Sequence, residues 1–120
     1  MDPVTFLNEW CSLPMFGNLN QHPEFSRLIL RRSQYDRRRV AIALNAFSIV
    51  TQPSLWDQIS TLPIVGYITG ELDTKYRDVG QRIQNTSTIP VRVLPHLGHN
   101  CHFEDPVQFS MGVREYIRFT

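Results

Sequence analysis

The spacing of apolar residues changes near the middle of this 120-residue chain. Residues 1–60 carry apolar side chains at helical spacing, three or four positions apart. Residues 61–120 instead contain two short apolar runs, each followed by a stretch with helical spacing. A strand–helix–strand–helix order is typical of parallel sheets, because parallel strands need a crossover connection. The sequence therefore predicts an α/β fold, with a helical region over 1–60 and a β-α-β-α portion over 61–120.

Three helices are predicted in the first half of the chain. Asp2 and Pro3 are typical of a helix start, an acid at the N-cap followed by proline, and this helix should run to about Trp10. The second helix is predicted to start at Pro23. The third should cover about 38–50, with an apolar face formed by Val40, Ala43, Leu44 and Phe47.

A short turn is predicted to follow the third helix, because Ser54 and Asp57 have the spacing of a capping box. The second half then begins with a strand over 64–69, whose uninterrupted apolar character predicts burial on both faces, and Gly70 should end it.

The remaining elements of the second half are a helix over about 75–84, a strand over 90–94, and a last helix that begins at Asp105 and continues to about Phe119. Two parallel strands do not make a stable sheet alone. We therefore expect that an N-terminal half of the domain precedes this chain.

Composition and charge narrow the classes of partner. Lys and Arg number 12 and Asp and Glu 11, and this balance argues against a general nucleic-acid or membrane partner. Six arginines nevertheless fall between Arg27 and Arg39. The two cysteines are not spaced as zinc ligands. Without a long apolar run or a signal-peptide pattern, the chain is predicted to be cytoplasmic.

Two loops that follow the predicted strands carry residues suited to catalysis. In parallel sheets, working side chains gather just past the carboxyl ends of the strands. Asp73 follows the first strand and His99 follows the second, in the chain order of the acid and histidine of an α/β-hydrolase triad. A triad histidine needs a carboxylate that fixes its tautomer and stabilises the imidazolium. Each residue also has a structural alternative, since Asp73 could cap the next helix and His99 could be a hydrogen-bonded loop residue, as we expect of His96 and His102.

The strings that follow these strands and the start of the chain resemble a known family. They are Gly70–Tyr76 (GELDTKY), Gly98–Pro106 (GHNCHFEDP), Phe6–Trp10 (FLNEW), Leu13–Phe16 (LPMF) and Arg31–Ser33 (RRS). Together they resemble 2-succinyl-6-hydroxy-2,4-cyclohexadiene-1-carboxylate synthases, α/β-hydrolase-fold lyases of menaquinone and phylloquinone biosynthesis that eliminate pyruvate. The resemblance implies the C-terminal part of that fold, in which lid helices precede the last two parallel strands and helices.

The resemblance also implies roles for four residues. Asp73 would be the triad acid and His99 the base, while Trp10 and Arg32 would line the lid side of the substrate pocket. The implied substrate is a small polycarboxylate, which guanidinium groups bind through paired hydrogen bonds. The family uses neither a metal nor an organic cofactor.

The chain departs from the family pattern in one respect that bears on activity. No Gly-x-Ser-x-Gly nucleophile motif occurs in the 120 residues, so we expect the chain to be inactive alone. Two other interpretations stay open. The chain could come from a generic α/β-hydrolase, an esterase or C–C hydrolase, or it could be a non-catalytic truncated product.

Overall fold

A computed structural model describes residues 1–117 and shows a mixed α/β protein. The first half contains α1 (Pro3–Trp10), α2 (Phe25–Ser33) and α3 (Arg37–Ala46), with 3-10 turns over 14–16, 19–21 and 56–58. Asp2 caps α1 as predicted, since its carboxylate accepts hydrogen bonds from the Val4 and Thr5 amides at 2.9 and 3.1 Å. Local capping chemistry therefore sets where α1 begins.

The second half has the predicted strand–helix–strand–helix order, with one additional short helix over 101–104, where the sequence predicted only a loop. Its elements are β1 (Tyr67–Gly70), α4 (Thr74–Thr86), β2 (Val91–Leu94), α5 (Cys101–Glu104) and α6 (Pro106–Tyr116). The strands are parallel, with Tyr67 opposite Val91 and Gly70 opposite Leu94. The α/β architecture is thus confirmed. The predicted end of the last helix at Phe119 lies outside the described residues.

The start predicted for the first strand is wrong by three residues. β1 begins at Tyr67 rather than Ile64, and it includes Gly70. Its first ladder bond runs from the Tyr67 amide to the Pro90 carbonyl at 2.9 Å, and β2 begins only at Val91. Because β2 offers no partner further upstream, Ile64 and Val65 lie outside the ladder, and their exposures of 40% and 65% contradict the predicted burial on both faces.

The third helix is shorter than predicted and its apolar face is not buried. α3 ends at Ala46 rather than near residue 50, because the chain leaves helical geometry at Phe47, where ψ is 19°. The Ser48 hydroxyl then accepts from the Val50 amide and holds a turn. Leu44 is 70% exposed and Phe47 78% exposed, and no residue of α3 is buried. The periodicity identified an amphipathic helix, but it could not show whether residues 1–117 supply a surface that covers it.

Two smaller predictions of helix starts are also wrong. The second helix begins at Phe25 rather than Pro23, because the Glu24 amide donates to Nδ1 of His22 and holds the chain in a turn. The capping box at Ser54 does not form, since the 3-10 turn that follows starts at Trp56 without a side-chain cap. In both cases an element does form, but it starts two residues after the residue that was predicted to begin or cap it.

The core consists of two clusters that meet at the loop after β2. The buried residues of the first cluster are Cys11, Phe16, Leu19, Leu28 and Ile29, and those of the second are Leu94, Leu97 and Cys101. Ile83 and Ile89 are buried as well. Phe103 packs against the first cluster, and the His99 amide donates to the Met15 carbonyl at 2.9 Å. The helical region is therefore joined to the sheet close to His99. Within residues 1–117, no helix is long and apolar enough to cross a membrane.

Candidate active site

Asp73 lies just past the carboxyl end of β1 and has two roles in the structure. It is the N-cap of α4, where Oδ1 accepts from the Tyr76 amide at 3.4 Å. Its other oxygen, Oδ2, accepts from Nδ1 of His99 at 2.6 Å. The residue is 1% exposed, so the carboxylate is held in a desolvated position. The two alternatives considered for Asp73, a helix cap and a partner of histidine, are therefore both present.

His99 lies just past the end of β2 and presents one ring edge to Asp73. Its side chain is 36% exposed, whereas that of Asp73 is 2% exposed. The ring is flanked by Phe16, edge-on at 5.7 Å between centroids, and by Tyr76 at 5.1 Å. Because Nδ1 donates to the carboxylate, Nε2 is the nitrogen left to exchange a proton. The geometry is that of a histidine ring oriented by a buried carboxylate.

Two glycines allow the His99 loop to lie against its neighbours. A Cβ on Gly98 would stand 2.5 Å from the Phe16 carbonyl oxygen, and a Cβ on Gly70 would collide with the Gly98 carbonyl oxygen. Both obstacles are backbone atoms, which cannot turn aside as a flexible side chain could. Gly98 is thus required for the close approach that brings His99 to Asp73.

We expect Gly98→Ala to lower the free energy of unfolding of the chain by roughly 1–3 kcal/mol, the usual cost of overpacking. Gly112→Ala is the matched control, since its Cβ would meet the flexible Arg92 side chain at 3.2 Å and alanine favours the helix. Urea melts of both variants measure the difference. Equal midpoints for the two would show that the Gly98 contact is dispensable.

Two glutamates hold the His99 loop, and the sequence analysis missed both. Glu71 accepts from the His96 amide at 2.7 Å, and Glu104 accepts from the Gly98 amide at 2.9 Å. His96 has a φ of 63°, so Glu71 binds the loop at a conformation that non-glycine residues rarely adopt. No spacing or periodicity in the sequence indicates either contact.

Burial raises the pKa of several groups around the site. It raises the pKa of the Cys11 and Cys101 thiols, and for Cys11 the nearby Arg32 guanidinium opposes the rise. Neither cysteine is therefore poised as a thiolate nucleophile. Burial also raises the pKa of the Glu104 carboxyl, which the Gly98 amide and His22 oppose.

Trp10 and Arg32 lie further from His99. Trp10 is 47% exposed and reaches His99 only through Phe16, whose ring centroid is 6.3 Å from that of Trp10. Nη1 of Arg32 lies 3.7 Å from Sγ of Cys11. Arg32 also lines a cavity of about 360 Å³ between α1 and α3, whose other walls include Phe6, Leu7, Arg37, Val40 and Leu44. The structure thus brings Asp73 and His99 together, but it does not bring Trp10 or Arg32 into contact with them.

The remaining histidines do not form a ligand cluster. His96 and His102 are exposed loop and helix residues, and His22 contacts the backbone at Glu104 through Nε2 at 3.0 Å. In the described part of the chain, no group of three His, Cys, Asp or Glu residues is arranged to hold a metal ion.

The protein belongs to the mixed α/β class, and an acid–histidine pair follows its two parallel strands. Sequence comparison narrows this class. The chain is 33% identical to the 2-succinyl-6-hydroxy-2,4-cyclohexadiene-1-carboxylate synthase of Serratia proteamaculans over 114 residues, which are 92% of the chain and 42% of that protein. It is 29% identical to the synthase of Escherichia coli O9:H4 over 120 residues, 98% of the chain and 46% of that protein.

A plant protein is similar as well. Protein PHYLLO, chloroplastic, of Arabidopsis thaliana is 26% identical over 123 residues, which are 93% of the chain and 7% of that protein. No protein-family model matches the chain. The resemblance to 2-succinyl-6-hydroxy-2,4-cyclohexadiene-1-carboxylate synthases is confirmed. The chain spans less than half the length of these relatives, which is consistent with the C-terminal half of such a protein.

Proposed function

We propose that this chain is the C-terminal part of an α/β-hydrolase-fold lyase that eliminates pyruvate to form 2-succinyl-6-hydroxy-2,4-cyclohexadiene-1-carboxylate, a step of menaquinone or phylloquinone biosynthesis. The observation that carries the proposal is the 2.6 Å contact between Nδ1 of His99 and Oδ2 of Asp73, past the ends of adjacent parallel strands. The names of the similar proteins supply the product. In this proposal residues 1–60 form the lid and residues 61–120 complete the sheet.

The proposed mechanism assigns proton transfer to the described pair. Nε2 of His99 takes the proton of a serine hydroxyl that lies in the other part of the protein, and that serine abstracts a proton from the substrate. The Asp73 carboxylate holds the ring and stabilises the imidazolium. The carbon–oxygen bond to the pyruvyl group then breaks, and the imidazolium proton is available to the departing group.

Arg32 is proposed to bind a substrate carboxylate and Trp10 to line the lid side of the pocket. Support for Arg32 comes from its half-buried position in the wall of the cavity between α1 and α3, beside Arg37. Two guanidinium groups in one cavity suit a substrate with more than one carboxylate. Trp10 is supported by its partial exposure and by its contact with Phe16, which itself touches His99.

A generic α/β-hydrolase is the second candidate, and the apolar part of the cavity lining favours it. Apart from its arginines the cavity is mostly apolar, with Phe6, Leu7, Val40 and Leu44 in its walls. An apolar pocket suits an ester or a neutral acyl group. In this alternative the same Asp73–His99 pair would serve acyl transfer through a serine nucleophile.

The test is to join the chain to the part of the Serratia proteamaculans synthase that it does not match. This hybrid is called the complemented protein below. The expected result is release of pyruvate from the enolpyruvyl-cyclohexene substrate, measured in a coupled assay, with neither fragment active alone. A folded hybrid that cleaves simple esters but releases no pyruvate would contradict the lyase proposal.

A further inference from the structure

Glu104 connects the loop that carries His99 to the helical region of the chain. Its carboxylate accepts from the Gly98 amide at 2.9 Å, one residue before His99. Its backbone carbonyl accepts from Nε2 of His22 at 3.0 Å. Its own amide donates to the Asn100 carbonyl at 2.9 Å, within the short helix α5 that follows His99. Glu104 therefore contacts the chain on both sides of His99.

Three hydrogen bonds hold the backbone that leads into His99. The Leu97 carbonyl accepts from the Leu72 amide, and the His99 amide donates to the Met15 carbonyl, each at 2.9 Å. The Gly98 amide belongs to the same planar peptide group as the Leu97 carbonyl. The Leu72 amide therefore holds this peptide at its carbonyl, and the Glu104 carboxylate holds it at its N–H.

We propose that Glu104 is a positioning residue for His99, whose carboxylate holds the Gly98 peptide in the orientation that directs Nδ1 of His99 toward Asp73. It acts through the backbone and not on the reacting atoms. The inference rests on the proposed function only in treating the Asp73–His99 pair as the working pair of the site.

The proposal follows from the short hydrogen bond between His99 and Asp73, whose geometry depends on the orientation of the peptide that precedes His99. Gly98 is buried, so its amide has little access to water if the carboxylate is removed. An unpaired buried amide is costly. Without the carboxylate the peptide is held only at the Leu97 carbonyl, and it is expected to rotate about that bond toward another acceptor. That rotation would turn the His99 ring and lengthen its 2.6 Å contact with Asp73.

The test compares Glu104→Ala and Glu104→Gln in the ¹⁵N-labelled 120-residue chain. Ring nitrogen chemical shifts report the His99 tautomer, and amide hydrogen exchange reports protection of Gly98. In Glu104→Ala we expect loss of the predominant Nδ1–H tautomer and Gly98 exchange faster by about tenfold or more, since a charged acceptor is lost. Glu104→Gln keeps an acceptor oxygen and should restore the Nδ1–H tautomer.

Two controls separate positioning from general destabilisation. Ile83→Val loosens a buried contact of α4 and should leave the His99 tautomer unchanged. Glu71→Ala removes a carboxylate from the His96 amide of the same loop. It too should leave the tautomer unchanged, because the Leu97–Gly98 peptide keeps both its bond to the Leu72 amide and its bond to the Glu104 carboxylate.

An unchanged His99 tautomer in Glu104→Ala, or the same change in Ile83→Val, would overturn the proposal. If Glu104→Ala leaves too little folded chain to measure, Glu104→Gln decides. Faster hydrogen exchange of the Gly98 amide in Glu104→Gln with an unchanged His99 tautomer would also overturn the proposal. The measurement needs no pyruvate assay. The His99 tautomer could respond as expected while the complemented protein releases no pyruvate. That result would support the positioning role and contradict only the proposed function.

Discussion

Asp73→Asn in the complemented protein is expected to lower kcat/KM for pyruvate release by about 10⁴-fold, as the same change does in serine protease triads. Asparagine has the shape of aspartate, but its amide would donate to Nδ1 of His99 and favour the wrong tautomer. The imidazolium would also lose its stabilising charge. Steady-state kinetics on the folded variant measure this loss.

Because Asp73 also caps α4, the controls must separate catalysis from stability. Asparagine caps helices about as well as aspartate, so Asp73→Asn should retain the bond to the Tyr76 amide. Asp73→Ala would lose both the helix cap and the contact with His99. Asp105 caps α6 through the Gln108 amide at 2.9 Å, and Asp105→Asn should leave kcat/KM nearly unchanged. An Asp73→Asn protein with full activity would show that the carboxylate serves α4 alone.

Arg32→Ala should cost on the order of 2–4 kcal/mol of transition-state stabilisation in the complemented protein, or about 30- to 1000-fold in kcat/KM. The reason is the loss of a charge-assisted, paired hydrogen bond to a substrate carboxylate, a contact roughly twice as strong as a neutral one. Arg32→Lys keeps the charge without the paired geometry and should recover only part of the loss. Pyruvate release over a range of substrate concentrations gives the measurement.

Arg38→Ala is the matched control for Arg32→Ala. Arg38 is an exposed residue near the start of α3 and does not line the cavity, so its loss should change kcat/KM little. Thermal melts show whether loss of the contact between Arg32 and Cys11 destabilises the protein and so contributes to the fall in kcat/KM. The variants of Asp73 and His99 cannot distinguish a lyase from a hydrolase, since both reactions need the pair. Full pyruvate release by Arg32→Ala, together with efficient cleavage of simple esters, would favour the hydrolase.

The central pair of the site could be predicted because it depends on topology. Asp73 and His99 each follow a predicted strand, and parallel strands place their carboxyl ends at one edge of the sheet. Glu104 and Glu71 could not be predicted in the same way. Their carboxylates bind backbone amides of the loop, and no periodicity or strand order indicates which amide a glutamate will reach.

The spacing of apolar residues in the sequence by itself determined the α/β class and the order of the main elements. Local capping determined the starts of α1, α4 and α6, because Asp2, Asp73 and Asp105 each bond to amides two or three residues away. Only the tertiary structure decided where β1 begins, because a strand extends only as far as its partner supplies carbonyls and amides. Tertiary structure also decided that the apolar face of α3 is exposed. A hydrophobic pattern shows that one helix face is apolar, but burial also requires a second surface that packs against that face. The 2.6 Å contact between Asp73 and His99 belongs to both levels, since strand order brings the residues to one edge and loop packing at Gly98 sets the distance.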